Sequence, residues 1–239
     1  MYKERSYRKW VKAEDLVTFE VIEKETDLLI SATKELKRQA REAVLYYRQD
    51  LESYIKQNPD FYTALEPIDV KIDAPAIVKA MADAAKRAGV GPMAAVAGAV
   101  AEFVGRDLLK FSDEIIVENG GDIFVRSRKK RVFGIFAGEK SPFTGKLALE
   151  AEPSEDGLGV CTSSGTVSHS LNFGNADAAL IIAHDAALAD AVATPTGNIV
   201  KAASDIEKAI EFARSVTGVK GVLILIGDKM GSWGEVKLL

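Results

Sequence analysis

The sequence predicts an α+β protein in which helices layer over an antiparallel or mixed sheet, and three observations carry that prediction. Apolar side chains recur at three- and four-residue spacing in several segments, the longest joining Leu36, Ala40, Ala43, Val44, Tyr47, Leu51, Tyr54 and Ile55 on one helical face. From residue 115 onward, short apolar or alternating runs are divided by Gly, Ser and charged corners, as strands are. Strands and helices interleave without the regular period of a βα repeat. With 239 residues, 47% of them apolar, the chain can bury a sizeable core, and residues 1–239 read as one domain; a split near Asn119 into two halves is the alternative.

Residues 16–31 alternate and then repeat an apolar stretch after the polar Lys24-Glu25-Thr26-Asp27 corner, which predicts a strand pair. The helix over residues 36–55 stops at Asn58-Pro59, and residues 61–73 read as a connection. Pro75 and Gly89 bracket a second helix, and a third opens at Pro92, studded with Ala94, Ala95, Ala97, Gly98, Ala99 and Ala101. Such small side chains allow close approach of another backbone or a ligand. Strands are predicted at residues 115–117, 123–125, 132–137, 147–152, 159–162, 178–183 and 219–226. Helices are predicted at residues 186–194 and at 205–216, the latter capped by Ser204.

Composition narrows the function. Thirty-one Lys and Arg against thirty-five Asp and Glu give a net charge of −4 with the signs interspersed, which offers no general attraction to nucleic acid or to an anionic membrane. The basic knot Arg126, Arg128-Lys129-Lys130-Arg131 lacks interleaved aromatics and reads as a solvated hairpin tip. The apolar run over residues 92–104 is broken by Glu102 and is shorter than the ~20 residues a bilayer span needs. One cysteine, Cys161, allows neither an intrachain bridge nor a zinc ribbon, and the first ten residues lack a secretory apolar region, so a cytoplasmic protein is expected.

Four stretches carry chemistry. Gly89-Val90-Gly91-Pro92-Met93-Ala94 fits G-x-G-x-x-A, but a dinucleotide turn follows a strand and the preceding segment is helical by period, so a helix-to-helix turn explains both glycines. Glu118-Asn119-Gly120-Gly121-Asp122 is a hairpin by local chemistry; its functional reading places Asn119 and Asp122 beside bare backbone suited to phosphate, ribose or a metal-bound oxygen. Cys161 to Ser170 is the densest group of hydroxyls and nucleophiles. Cys161 reads either as a small core residue or as a nucleophile paired with His169; Thr162, Ser163, Ser164 and Gly165 suit phosphate or flavin edges. Of the two histidines, His169 among polar neighbours is the better proton-transfer candidate and His184 merely ends a strand. Asp190 and Thr194 lie four apart on one helical face, either a partial Mg²⁺ site or a cap and a back-bonded hydroxyl.

In order and spacing, the Asn119-Gly120-Gly121-Asp122 turn, Thr162-Ser163-Ser164-Gly165 with His169 after it, and Ala189-Asp190-Ala191-Val192-Ala193-Thr194 resemble the motifs of the ApbE family, the FAD:protein FMN transferases, mainly over residues 90–200. Val90 to Ala99, Val117 to Asp122 and Cys161 to Thr166 look like an ApbE-like branch extending over essentially the whole chain. The resemblance implies an ApbE-like, T-fold-like architecture. It implies that Asp190 and Thr194 hold Mg²⁺, that His169 is the general acid–base, and that Asn119, Gly120, Gly121, Asp122, Thr162, Ser163, Ser164 and Gly165 line a pocket for FAD or another flavin nucleotide. Where the transferases carry a Lys-Gly pair, residues 94–98 have no lysine, and the H-x-x-D-P-x-T-G continuation is replaced by His169-Ser170-Leu171-Asn172-Phe173-Gly174. The expected activity is flavinyl or phosphoryl transfer on a small-molecule nucleotide, with a non-catalytic ligand binder and a structural homo-oligomer as the competing readings.

Overall fold

The computed structural model describes residues 13–139, 141–164 and 174–239. Its centre is an eight-stranded sheet of β1 (Val17–Glu23), β2 (Thr26–Ala32), β3 (Ile115–Asn119), β4 (Asp122–Ser127), β7 (Ser154–Ser163), β8 (Ala178–Ala183), β9 (Val219–Ile226) and β10 (Lys229–Gly234), in that order and antiparallel at every junction. The chain leaves this sheet after β4 to build a three-stranded one from β5 (Arg131–Gly134), β6 (Ala148–Ala151) and β11 (Lys237–Leu238). The ladder runs without interruption from β2 through β3 and β4 across Asn119.

Side chains that alternate along the large sheet serve two separate cores. Ile115, Val117, Phe124, Ile181, Val222 and Ile224 pack on the side of the helices α1 (Lys37–Gln57), α3 (Ala76–Ala88), α4 (Val96–Leu108), α5 (Ala186–Ile199) and α6 (Ile206–Ser215). Ile116, Ile123, Val125, Leu180, Ile182, Leu223 and Leu225 face Phe133, Ile135, Leu149 and Ala151 of the small sheet. Strands covered on both faces read as unbroken apolar runs, which is why β8 and β9 show no alternation. At the β1 edge the alternation returns: Phe19 and Val21 are buried while Val17, Thr18, Glu20 and Ile22 are exposed. The fully buried Phe124 ring sits between α4 and β7 because Gly105 and Gly157 leave it room; a Cβ on either would approach the ring to 2.4 or 2.6 Å.

Several local expectations are corrected. The connection after α1 contains a short helix, α2 (Asp60–Thr63). The helix predicted to stop at Thr194 continues through Pro195 to Ile199, because Val192, Ala193 and Thr196 are buried there and tertiary packing outweighs the missing N–H. The last helix is not capped by Ser204; Asp205 instead accepts from the Lys201 and Ala202 backbone N–H groups at 2.9 and 2.8 Å. The basic knot is no hairpin tip, since β4 and β5 belong to different sheets. Arg131 is buried at the corner, donating to Asp15 and to Glu114 at 2.5 Å each. Among the described residues no single helix is long and apolar enough to cross a membrane.

Candidate functional site

The Gly89–Ala94 motif is a bend between helices, as the periodicity predicts. Gly89 ends α3 in the left-handed region at φ 70°, the chain makes one 3₁₀ turn over Pro92–Ala95, and α4 leaves at 105° to α3. The bend brings the small residues at the start of α4 against the first turn of α5. Gly98 is required there: a Cβ would stand 2.1 Å from the Ala186 carbonyl oxygen and 2.8 Å from the Asp190 Cβ.

Across that contact the Gly98 N–H donates to Asp190 Oδ2 at 2.8 Å. Gly98 lies in the first turn of α4, whose N–H groups have no acceptor within their own helix, so Asp190 caps α4 from α5. Burial pushes the Asp190 carboxyl up to about 7, against the opposing pull of the Gly98 and Ala97 N–H groups. Thr194 follows one turn later, partly buried; the hydroxyl that bonds back to a helix carbonyl is that of Thr196, donating to Val192 at 2.7 Å.

The β3–β4 turn reaches the same place from the sheet. Gly120 and Gly121 have φ of 69° and 105°, conformations that L side chains resist, and Asn119 pairs directly with Asp122 across the turn. Asn119 Nδ2 donates to the Ala97 carbonyl at 3.1 Å, next to the Gly98 amide that Asp190 holds. The buried Glu118 braces the turn by accepting from the Gly121 N–H at 2.7 Å. Asp122 is buried and accepts from the Thr162 N–H at 3.3 Å. Its carboxyl lies well above the ordinary range because burial and the negative charge of Asp190 both disfavour ionisation.

At the end of β7 the Cys161 thiol is fully buried, 3.4 Å from the Ala186 carbonyl oxygen and within hydrogen-bonding reach of Asp122. Burial, with Asp122 and Asp190 beside it, raises the thiol well above its usual range, so Cys161 is a protonated core group and not an activated nucleophile. Ser163 and Ser164 are buried next in line, with Thr162 partly exposed. Gly165 and His169 lie outside the described residues.

The structure therefore gathers Asn119, Gly120, Gly121, Asp122, Thr162 and Asp190 around one junction of α4, α5, β3, β4 and β7. Two carboxylates, Asp122 and Asp190, come close enough to repel, and among the described residues neither has a cationic side chain as partner. Oxygen donors of this kind fit Mg²⁺, which takes one or two protein carboxylates and fills its remaining positions with water and substrate oxygens. Among the described residues no group of three His, Cys, Asp or Glu is placed to make a self-sufficient protein metal site. Gly98 is the close backbone approach that its small-residue stretch predicts, whereas Glu118 and Glu102 were not predicted as parts of this junction. For Glu102 the signal was a lone carboxylate inside an apolar run.

Comparison with known proteins agrees with this architecture. The family described as AbpE bacteria matches residues 8–230. A UPF0280 protein of Methanococcus aeolicus is 43% identical, covering 82% of this chain and 81% of its own length, and one of Methanocaldococcus jannaschii is 41% identical over 90% of each. The crystal structure of the Pseudomonas stutzeri flavinyl transferase ApbE, apo form, superposes with a TM-score of 0.58 at 14% identity, covering 94% of this chain and 95% of that one. The ApbE protein from Thermotoga maritima gives 0.54 at 13% identity, covering 90% and 96%. Similarity at that level shows the α+β fold.

Proposed function

The chain belongs to the family described as AbpE bacteria, and from that premise we propose that it binds a flavin nucleotide with a divalent cation at Asp190 and acts on the nucleotide's pyrophosphate. One observation carries the reading: Asp122 and Asp190, from a glycine turn and a helix far apart in sequence, are both buried at one junction, where the charge of Asp190 disfavours ionisation of Asp122 and, among the described residues, no cationic side chain is bonded to either. A bound Mg²⁺ would balance that charge and neutralise pyrophosphate oxygens. Asp190 with Thr194 would hold the cation. The backbone at Gly120 and Gly121 would admit the nucleotide closely, and Asn119, Asp122, Thr162, Ser163, Ser164 and Gly165 would line its pocket. His169 keeps the role that the resemblance implies, a general acid–base that moves a proton during flavinyl or phosphoryl transfer.

The second reading, a binder without turnover, draws on the start of α4. Residues 94–98 carry no lysine, and the Gly98 N–H is already engaged by Asp190. Incubating the protein with FAD and Mg²⁺ and following FAD by chromatography separates the two. Consumption that stops in EDTA and is lost in Asp190→Ala and His169→Ala supports transfer; tight flavin binding without consumption supports the binder. Failure to take up either flavin or metal refutes both.

A further inference from the structure

We propose that Glu102 is the positioning residue of the cation site: it fixes the first turn of α5 on α4 and thereby sets where the Asp190 carboxylate stands. This rests on the reading of Asp190 as a cation ligand.

The two helices exchange carboxylates. Asp190 accepts the Gly98 N–H at the start of α4, and Glu102 Oε2 accepts the Ala186 N–H at 2.8 Å and the Ala187 N–H at 3.4 Å at the start of α5. The spacing is the same on both sides. Glu102 stands four residues after Gly98, and Asp190 stands four after Ala186, so each carboxylate projects one turn beyond the N–H its own helix offers to the other. Asp185, the residue just before α5, serves only the next donor, taking the Leu188 N–H at 2.6 Å while its other oxygen faces His184 at 2.9 Å. The first two N–H groups of α5 therefore depend on Glu102. There is little slack for any other docking, because the Ala186 carbonyl already occupies the space a Cβ on Gly98 would need.

The exchange is asymmetric in charge. Four residues after Glu102, Arg106 donates through Nε to Glu102 Oε1 at 2.7 Å. Four residues after Asp190 stands Thr194, which is neutral. The Glu102 half carries its own cation, Arg106, against burial and the nearby Asp185 charge, and holds the geometry. The Asp190 half, at the equivalent place, lacks a built-in cation, and a diffusible one completes it. Groups that orient a metal ligand through a hydrogen-bonded neighbour typically change metal affinity 10–100-fold when removed.

The test is Mn²⁺ titration of the full chain, reading free Mn²⁺ by electron paramagnetic resonance, at a temperature where circular dichroism shows each variant folded. Glu102→Ala is expected to bind Mn²⁺ at least about tenfold more weakly. Glu102→Asp, whose shorter reach withdraws the acceptor but keeps the charge, is expected to weaken binding similarly and carries the test if the alanine variant does not fold. Glu102→Gln retains an oxygen for the α5 N–H groups and is expected to stay within about threefold of the wild type, a rescue that a general loss of packing would not give. Undiminished binding in the Ala or Asp variant, or equal loss in all three, overturns the role of Glu102 while leaving the cation site standing. A wild-type chain that takes up no Mn²⁺ overturns the cation site and this role with it.

Discussion

Replacing Asp190 with Asn tests the electrostatic account of the site without needing a substrate. In the unfolded chain the carboxyl titrates near 3.8; in the folded protein burial moves it to about 7. A folded value above the unfolded one means that folding favours the protonated acid. The associated stability is complete below pH 3.8, declines as the unfolded chain ionises first, and is gone once the folded carboxyl ionises near pH 7. At ~1.4 kcal/mol per pH unit, the metal-free wild type gives up about 4 kcal/mol between pH 4 and pH 8 on this account. Asn cannot ionise, and its side-chain oxygen can still accept the Gly98 N–H. Asp190→Asn should accordingly match the wild type near pH 4 and exceed it by up to about 4 kcal/mol at pH 8 in EDTA. Urea unfolding of both proteins at the two pH values measures this, and saturating Mg²⁺ at pH 8 should restore the wild type alone. A variant no more stable than the wild type at pH 8, or an advantage that does not change with pH, would refute the reasoning.

Two further outcomes follow from packing and charge. Gly98→Ala forces a Cβ to within 2.1 Å of a backbone oxygen that cannot swing aside, so thermal unfolding should show a loss of at least ~1–3 kcal/mol. Arg131→Ala strands Glu114 and Asp15 at the corner between the sheets and should cost about 3 kcal/mol at pH 7. Burial alone would raise Glu114, but its bonds to Ser127 and Arg131 outweigh that and hold it low, so the stability they provide is present above its unfolded range and fades as pH falls. The wild-type advantage over Arg131→Ala should therefore shrink in chemical unfolding near pH 3, and Arg131→Lys should recover only part of it, lacking the fork that reaches both carboxylates.

The elements that could be read from sequence are those whose burial is governed by their own periodicity. The stripe from Leu36 to Ile55 became α1 almost to the residue, and the apolar runs at residues 178–183 and 219–226 became β8 and β9. Other features depended on partners that sequence does not display. β10, Lys229–Gly234, has no apolar alternation and exists because it pairs with β9, and the small sheet is assembled from three short strands separated in the chain. In the basic knot Arg128, Lys129 and Lys130 are exposed as expected, but Arg131 is buried because Asp15 and Glu114, its counter-charges, arrive from more than a dozen residues away. At the site, the residue types were legible and their junction was not. Nothing local shows that Glu102 meets Ala186, 84 residues later.

What distinguishes the site from the rest of the interior is how its charge is handled. Glu102 faces Arg106, Glu114 faces Arg131, and Glu118 braces its own turn through the Gly121 N–H. Glu102 and Glu118 are buried and Glu114 half-buried, each beside a donor that opposes its desolvation. Asp122 and Asp190 instead meet in one junction where, among the described residues, their donors are backbone N–H groups and the neutral Cys161 thiol, and no cationic side chain. A fold that pairs its buried acids elsewhere has no structural need for this couple: a hydrophobic pair of similar size would remove the repulsion, and the Gly98 and Thr162 N–H groups could be met by neutral oxygens. On the proposed reading, a cation held at Asp190 would relieve that repulsion and draw its affinity from it.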